Sequence, residues 1–310
     1  MSALRALAPA KVNLGLFVGP LREHDARHEL VTVMQSISLA DELTLAPADD
    51  GAGGDEIVCD GVPGPPEDNL AARALEAFRA RTGWDAPPQR LQIDKRIPLA
   101  AGLAGGSADA AATLRLAARA SGLGDHELLI EVAAALGADV PAQLAPGRWL
   151  AEGAGERLRA LPAPRSSLGI LVLPLAAELS TAAVYDEVDR HPLRSRAQLV
   201  ELAQELTSAL AHGAPLPPAT ELLHNDLQRP AVALCPQIAA TLAEARAAGA
   251  ELALVSGSGP TVIGLFARSG PSAEAGAGPA DGAAEALAGR RPAAFAARPV
   301  DAAYGEPVAI

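Results

Sequence analysis

Cysteines, aromatic residues and long apolar runs are scarce in this chain, and each scarcity excludes a class of protein. Cys59 and Cys235 are the only cysteines among 310 residues. They are too few and too far apart for a disulfide framework or a cysteine zinc site, so both are predicted to be free thiols. Phe, Trp and Tyr make up 3% of the sequence, so the core is predicted to be mostly aliphatic. No run approaches the roughly 18 apolar residues of a membrane helix, and the N-terminal residues lack a signal-peptide core, which favours a cytoplasmic location.

Basic residues are fewer than acidic residues. The chain has 25 Lys and Arg against 37 Asp and Glu, for a formal net charge of -12. A surface with this balance repels nucleic-acid backbones and anionic lipid headgroups, so neither nucleic acid nor a membrane is expected as a partner. The histidines form no H-E-x-x-H motif of a zinc enzyme. The chain is expected to be a monomer or a weak homodimer.

The length allows two domains of ordinary size. A Pro-rich stretch after residue 160 predicts units of 1–160 and 161–310, and because strands precede helices in the first unit, an α+β fold is favoured. Strands are predicted at 10–18, 29–37, 42–46, 90–97, 168–173, 251–255 and 261–267. Helices are predicted at 69–82, 107–121, 126–136, 181–189, 196–211 and 237–248. The composition of 269–289, rich in Gly, Ala, Pro and acidic residues, predicts a mobile insertion.

A glycine-rich segment lies between a predicted strand and a predicted helix. Gly102, Gly105 and Gly106 permit close backbone approach, Ser107 is able to cap the helix, and the free amides of a helix N-terminus favour an anion. The segment has neither the G-x-x-x-x-G-K-[ST] pattern of a P-loop nor the Rossmann fingerprint. It predicts a triphosphate-binding loop of another kind. The loop consists of Pro98, Leu99, Ala100, Ala101, Gly102, Leu103, Ala104, Gly105, Gly106, Ser107 and Ala108.

Three further places carry polar residues of interest. Lys11 and Asn13 share one face of the first predicted strand. Asp139 follows the third helix, and Pro141 after it predicts an extended Val140. Residues 256–261, Ser-Gly-Ser-Gly-Pro-Thr, join two predicted strands as a tight turn. Taken singly, each is more often an ordinary edge charge, loop residue or hairpin connection.

Four segments in order resemble the motifs of the GHMP kinases. They are Pro-Ala-Lys-Val-Asn-Leu at 9–14, the glycine-rich loop, Leu-Gly-Ala-Asp-Val-Pro at 136–141 and Ser-Gly-Ser-Gly-Pro at 256–260. Ile-Asp-Lys-Arg-Ile-Pro at 93–98 and His-Asn-Asp-Leu at 224–227 are most similar to the branch that phosphorylates 4-diphosphocytidyl-2-C-methyl-D-erythritol. The likeness spans residues 8 to 267. It implies an N-terminal ribosomal-protein-S5-domain-2-like domain and a C-terminal ferredoxin-like α/β sandwich.

The resemblance also implies roles for individual residues. ATP and Mg²⁺ are the expected cofactors, with the glycine-rich loop around the triphosphate and Ser107 near phosphate or magnesium. Lys11 and Asp139 match the catalytic positions, and Asn13 a substrate-binding position.

Two further positions match residues that read cytosine in the family. They are His28 and Tyr185. Ala26 and Arg27 stand where Gly-Tyr is usual, and the guanidinium of Arg27 is able to stack in place of the missing ring. Ala100 and Ala101 likewise stand where glycine is common in the loop.

Two alternatives remain open at this point. A kinase of the same fold that acts on homoserine, mevalonate or another small alcohol would keep the phosphate loop and change only the acceptor pocket. A non-catalytic nucleotide-binding regulator would keep the loop without transferring phosphate. The presence of both Lys11 and Asp139 argues against the regulator.

Overall fold

Two β-sheets and the helices around them make up the protein. The computed structural model describes residues 2–49, 51–267 and 278–310. The strands are β1 (Leu4–Leu21), β2 (His28–Pro47), β3 (Glu56–Val58), β4 (Gln89–Asp94), β5 (Arg148–Gly153), β6 (Arg157–Leu161), β7 (Leu168–Leu173), β8 (Leu252–Val255), β9 (Val262–Ala267), β10 (Phe295–Ala297) and β11 (Val308–Ala309). The helices are α1 (Leu70–Thr82), α2 (Gly105–Ser121), α3 (His126–Leu136), α4 (Val140–Leu144), α5 (Thr181–Val188), α6 (Arg196–Leu210), α7 (Gln228–Leu234), α8 (Gln237–Ala247) and α9 (Pro279–Leu287). The α+β class is confirmed.

Local capping explains why the first helices lie where the sequence predicts them. The side chain of Asn69 accepts a hydrogen bond from Ala71 N at the start of α1, and Asp125 does the same for Leu128 N at the start of α3. Gly122 ends α2 with a φ of 68°, a conformation that glycine adopts without strain. These signals lie within a few residues of the helix ends, so sequence alone identifies them.

Several boundaries differ from the predictions. The strands predicted at 29–37 and 42–46 form one continuous strand, β2. Helix α2 begins at Gly105, so Ser107 lies within its first turn instead of capping it. Val140 is not extended but begins α4, because a proline at the second helical position lacks only an amide that the first turn leaves unpaired.

The predicted mobile insertion at 269–289 is partly wrong. Residues 279–287 form α9. Its apolar side, made of small residues and Leu287, packs against the second sheet. The rest of the insertion up to residue 277 lies outside the described residues. The composition indicated a loop because alanine buries little apolar area. Alanine also has the highest helix propensity, so the same residues form a helix where they pack on the sheet.

The first sheet has the order β11-β1-β2-β4-β3, with β5 paired to β2 and to β6. One edge of β2 has two partners: residues 30–35 pair with β5, and residues 42–47 pair with β4. The partner changes at Asp41, where β4 ends and the chain leaves toward the glycine-rich loop. The split edge therefore places that loop in an opening of the sheet.

A β-bulge in β1 decides which way its polar residues point. Leu4, Ala6 and Ala8 pack in the core beneath the helices of the first half, whereas Ala10 and Val12 pack in the core shared with the second sheet. The register of β1 against β2 shifts between Pro9 and Lys11, which reverses the faces. Lys11 and Asn13 are thereby turned to the side on which α2 begins.

The second sheet has the order β10-β7-β9-β8. Together with the helices between its strands it follows the β-α-β-β-α-β sequence of the ferredoxin-like motif. Since β6 ends at Leu161 and β7 begins at Leu168, the chain passes between sheets close to the predicted division near residue 160. Val308–Ala309 return to the first sheet, so units of 1–160 and 161–310 stay a prediction. No helix in the described ranges has the length and apolarity needed to cross a bilayer.

Backbone hydrogen bonds and one carboxylate join β1 to the second half of the chain. Leu16 N donates to His224 O (2.7 Å), and Asp226 N donates to Leu16 O (2.9 Å). The carboxylate of Asp226 accepts from Val18 N (2.9 Å), from Arg194 (3.1 Å) and from His224 (3.1 Å). Burial alone would raise the pKa of Asp226, but the hydrogen bonds from His224, Arg194 and Val18 N lower this pKa to about 2.

We expect the Asp226→Asn variant to lose about 2 kcal/mol of unfolding free energy at neutral pH, the equivalent of the difference between the folded pKa and an ordinary Asp pKa. Because the folded pKa is depressed, this stabilisation is present above about pH 4 and is lost as the pH falls toward about 2. Denaturant unfolding of the variant and the parent between these limits measures the difference. A loss that does not shrink on acidification would contradict this account, and the exposed Asp85→Asn substitution is the control.

Candidate active site

A cavity of about 710 Å³ opens between the two halves of the chain. It brings together nearly every residue that the sequence singled out. Lys11, Asn13, His28, Asp139 and Tyr185 line it, as does the glycine-rich loop from Pro98 to Ser107. Ala108 does not line it but is buried behind the loop. The turn at 256–260 contributes Gly257 and Ser258.

The N-terminus of α2 faces this cavity. Ala104 occupies the N-cap position with a φ of 56° and provides no side-chain cap, so the first amides of a 17-residue helix have no capping partner among the described residues. A methyl group added at Gly106 would meet no atom within 4 Å, so open space lies directly over the first turn. Unpaired amides, the helix dipole and room for close approach fit a phosphate group.

A buried ionic cluster holds the base of the loop. Lys95 Nζ lies 2.5 Å from a carboxylate oxygen of Asp41 and 2.6 Å from one of Asp109. The other oxygen of Asp41 accepts from the backbone amides of Arg96 (2.5 Å) and Ile97 (2.8 Å). Asp41 therefore fixes the chain at the point where it leaves β4, and Asp109 fixes the first turns of α2 to the same ammonium group.

The cluster holds two carboxylates against one ammonium. Burial raises the pKa of Asp109 to about 7, and its Oδ1 is buried without a hydrogen-bond partner among the described residues. Burial would lower the pKa of Lys95, but the neighbouring carboxylates of Asp109 and Asp41 raise it above its usual value. Lys95 is thus held as a cation beside the loop, where an added methyl at Gly105 would lie 3.5 Å from its Nζ.

Lys11 and Asn13 belong to a chain of hydrogen bonds that sets their orientation. Lys11 Nζ donates to Asn13 Oδ1 (2.8 Å), Asn13 Nδ2 donates to Thr32 Oγ1 (2.8 Å), and Thr32 Oγ1 donates to Gly15 O (2.7 Å). Because Lys11 Nζ is able only to donate, it must face Asn13 Oδ1, which determines the orientation of the Asn13 amide. Lys11 N also donates to Leu103 O (3.1 Å), which joins this strand directly to the glycine-rich loop.

Asp139 faces Lys11 across the cavity. Its Oδ2 lies 3.5 Å from Lys11 Nζ, and its side chain is 39% exposed whereas that of Lys11 is 10% exposed. Asp139 precedes α4 but makes no capping hydrogen bond with its side chain. The carboxylate is therefore held by one ion pair, with its other oxygen available to a ligand. A buried cation beside an accessible carboxylate is able to orient a hydroxyl group and accept its proton.

The other end of the cavity is lined by rings. His28 and Tyr185 stack with centroids 5.3 Å apart. His28 Nδ1 lies 2.8 Å from Gly19 O, which only accepts, so Nδ1 carries the hydrogen, while Nε2 lies 3.3 Å from Asp189 Oδ1. Burial, with a contribution from Asp139, raises the pKa of Tyr185 to about 12. Arg27 also lines the cavity, and its guanidinium donates to Ala154 O (2.9 Å).

The structure adds site residues that the sequence analysis did not select. Thr32 orients Asn13, Lys95 supports the loop, and Thr181 and Ser258 form a hydroxyl pair 2.9 Å apart on the cavity wall. Lys95 lies in one of the segments on which the resemblance rests. So does Ser258, in the segment at 256–260, whereas Thr32 and Thr181 had no local signal because their partners are distant in sequence.

Comparison with known families identifies both halves of the chain. The model described as GHMP kinases N terminal domain matches residues 69–147, and the one described as GHMP kinases C terminal matches residues 199–287. The first match contains the glycine-rich loop and Asp139. The second contains the segment that hydrogen-bonds to β1.

Similar proteins narrow the family. The chain is 42% identical over 286 residues to a 4-diphosphocytidyl-2-C-methyl-D-erythritol kinase of Leifsonia xyli, across 86% of this chain and 89% of the relative. A crystal structure of 4-(cytidine 5'-diphospho)-2C-methyl-D-erythritol kinase superposes with a TM-score of 0.72 at 34% identity, covering 95% of this chain and 98% of the other. A homoserine kinase from Cytophaga hutchinsonii, at 18% identity and a TM-score of 0.69 over 100% of this chain and 98% of its own, shares the fold. The chain therefore belongs to the 4-diphosphocytidyl-2-C-methyl-D-erythritol kinase family of the GHMP kinases.

Proposed function

We propose that the protein transfers the γ-phosphoryl group of ATP to the 2-hydroxyl of 4-diphosphocytidyl-2-C-methyl-D-erythritol, a step of the non-mevalonate route to isoprenoid precursors. The observation that carries the proposal is the pair Lys11 and Asp139, 3.5 Å apart in the cavity that the N-terminus of α2 also faces. An anion site next to a cation and an accessible carboxylate is what phosphoryl transfer to an alcohol requires. Family membership supplies the identity of the alcohol.

The phosphate groups are proposed to lie against the glycine-rich loop. ATP supplies the phosphoryl group, and the Mg²⁺ that accompanies it neutralises part of the triphosphate charge. The amides of the first turn of α2 donate to phosphate oxygens, and Lys95, paired with Asp41 and Asp109, holds the base of the loop in place. Ser107, half-buried on that first turn, is the hydroxyl placed to reach phosphate or magnesium.

The residues around Asp139 are proposed to perform the proton chemistry. Asp139 accepts the proton of the 2-hydroxyl as that oxygen forms its bond to phosphorus and the bond to the leaving ADP oxygen breaks. Lys11 holds the carboxylate in place and offsets negative charge on the transferred group. Asn13, oriented by Lys11 and Thr32, binds the acceptor beside them.

The cytidine is proposed to bind among His28, Tyr185 and Arg27. His28 has its Nδ1 hydrogen bound to Gly19 O and its Nε2 beside Asp189, so its proposed contribution is the aromatic surface that it forms with Tyr185. Tyr185 offers a ring face and Arg27 a planar cation, both suited to an aromatic base. With the base bound among these residues, the acceptor hydroxyl is proposed to lie beside Asp139 and ATP along the glycine-rich loop.

The first experiment is an ADP-release assay with Mg²⁺ and ATP on a panel of acceptors: 4-diphosphocytidyl-2-C-methyl-D-erythritol, the same alcohol without its cytidine, homoserine and mevalonate. We expect turnover with the cytidylated alcohol alone. Turnover with another alcohol would show that the protein is a kinase but that its substrate is a different alcohol. Binding of ATP without turnover on any acceptor would favour the nucleotide-binding regulator.

Two histidine variants, one at the cavity and one remote from it, are tested with the same acceptors. His28→Ala should raise the KM for the cytidylated acceptor by about tenfold, the loss expected for one stacking or hydrogen-bonding contact, and leave the KM for ATP unchanged. His126→Ala, at the exposed start of α3, is the control. An unchanged acceptor KM in the His28 variant would remove that residue from the acceptor site.

Asp139→Asn should lower kcat by about 100- to 10,000-fold, the usual contribution of a general base, because the amide cannot accept the hydroxyl proton. Binding of ATP should persist, since Asp139 is not part of the loop. Single-turnover kinetics and ATP titration measure the two effects separately. Wild-type turnover in this variant would overturn the mechanism.

Gly106→Ala tests the phosphate site without disturbing the fold. The added methyl meets no protein atom, but it projects into the space over the first turn of α2. Losing one amide contact to a charged phosphate costs about 1.5–3 kcal/mol, so the KM for ATP should rise by about tenfold or more. Thermal unfolding should show no loss of stability, because alanine is the better helix former.

The control is Gly282→Ala in α9, an exposed helical glycine that also has open space around its α-carbon. It should leave the KM for ATP unchanged. Equal KM values for ATP in the two variants would mean that the triphosphate does not bind over the first turn of α2. The cytoplasmic location, the absence of nucleic-acid and membrane partners, and the monomeric or weakly dimeric state stay predictions.

A further inference from the structure

The turn at 256–260 contacts both the glycine-rich loop and the Lys11–Asn13 pair. A methyl group added at Gly102 would lie 2.7 Å from Gly259 O and 2.9 Å from Ser256 O, so loop and turn are in direct backbone contact. On the other side, a methyl added at Gly257 would lie 3.3 Å from Asn13 Oδ1 and 3.8 Å from Lys11 Nζ. A displacement of this turn would therefore change the position of the loop relative to Lys11 and Asn13.

Asn225 holds this turn. Its Nδ2 donates one hydrogen bond to Val255 O (2.8 Å) and one to Gly257 O (2.7 Å), so the two bonds bracket Ser256. Its Oδ1 accepts from Leu227 N (2.9 Å), which determines the orientation of the amide. The residue is 2% exposed and is not one of the described residues that line the cavity.

The backbone on both sides of Asn225 is bound to β1. His224 O accepts from Leu16 N, and Asp226 N donates to Leu16 O, five residues beyond Lys11 on the same strand. Asn225 thus connects the turn to the strand that carries the catalytic lysine. The opposite side of the turn meets the loop that is joined to that lysine by Lys11 N and Leu103 O.

We propose that Asn225 is a positioning residue for phosphoryl transfer. It sets the spacing between the glycine-rich loop and the Lys11–Asp139 pair through the turn at 256–260, without touching either substrate. This inference rests on the proposed kinase function. A positioning role predicts a loss in kcat, because small displacements of reacting groups cost rate steeply.

Two variants test it. Asn225→Ala removes all three hydrogen bonds, and Asn225→Asp keeps the shape and the acceptor for Leu227 N but, when ionised, cannot donate to the two carbonyl oxygens. Each should lower kcat by at least about tenfold while the acceptor KM changes by less than about threefold. The assay is run well below the unfolding temperature of every variant, so that all are folded.

Leu287→Ala in α9 is the control for a purely structural role. It removes a buried side chain of the second half at a distance from the cavity and should lower thermal stability without lowering kcat. If the Asn225 variants lose stability as this control does but keep kcat within about twofold of the parent, the residue is structural only and the inference fails.

The Asn225→Asp variant adds a pH signature. Raising the pH from about 6 to about 9 should lower its kcat relative to the parent at the same pH, because ionisation of the introduced carboxyl replaces a donor by a charge that repels Val255 O and Gly257 O. The charged groups around the segment are His224, Asp226, Arg194 and, across the turn, Lys11, and they are common to both proteins. A ratio independent of pH, with kcat unchanged, would contradict the role of the donated hydrogen bonds.

The outcome separates this inference from the function on which it rests. If the parent protein turns over no acceptor, the proposed function fails. If the parent turns over the cytidylated alcohol and the Asn225 variants match it, only the positioning role is lost.

Discussion

Strand β1 makes backbone hydrogen bonds to two of the segments that form or support the site. Lys11 N binds the glycine-rich loop at Leu103 O, and Leu16 binds the His224–Asp226 segment in both directions. The bulge between Pro9 and Lys11 turns the strand so that Lys11 and Asn13 leave the shared core and face the cavity. Without that reversal the two polar side chains would lie between the sheets, where an uncompensated charge is strongly unfavourable. This register shift therefore decides which face of β1 carries Lys11 and Asn13.

Both lysines at the cavity are largely buried and paired with carboxylates. Lys95 is held beneath the loop by Asp41 and Asp109, and Lys11 is held behind Asp139 by Asn13. Each lysine is thereby largely neutralised by its partners. In a chain with a net charge of -12, the N-terminus of α2, with its helix dipole, is the feature that attracts the proposed polyphosphate.

Much of the site could be predicted from sequence, and the part that could not has a common physical cause. The glycine-rich loop, Lys11, Asn13 and Asp139 lie in short segments whose composition or resemblance identifies them. Thr32 and Asp41 were not selected, because each acts through a contact with a residue distant in sequence or across a strand pair. The bulge in β1 and the two partners of β2 leave no local pattern, since both depend on which strands pair.

The helices show the same division between local and distant causes. Capping residues such as Asn69 and Asp125 identify α1 and α3 from a few neighbouring residues. Helix α9 was missed because its small residues are buried only by contact with the second sheet. Composition alone therefore indicated a loop where packing produces a helix.

Strand β11 gives the two halves of the chain a common edge. Leu4 and Arg5 pair with Ala309 and Val308, and Arg115 of α2 donates to Gly305 O (3.0 Å) in the segment before them. Until this C-terminal segment has been added, one edge of β1 has unpaired amides and carbonyls, and an unpaired strand edge invites association with other chains. A chain interrupted after the first sheet would therefore keep Lys11 on a strand with an open edge. Cutting the protein near residue 160 would leave two incomplete pieces, because the first sheet takes its outermost strand from the other end of the chain.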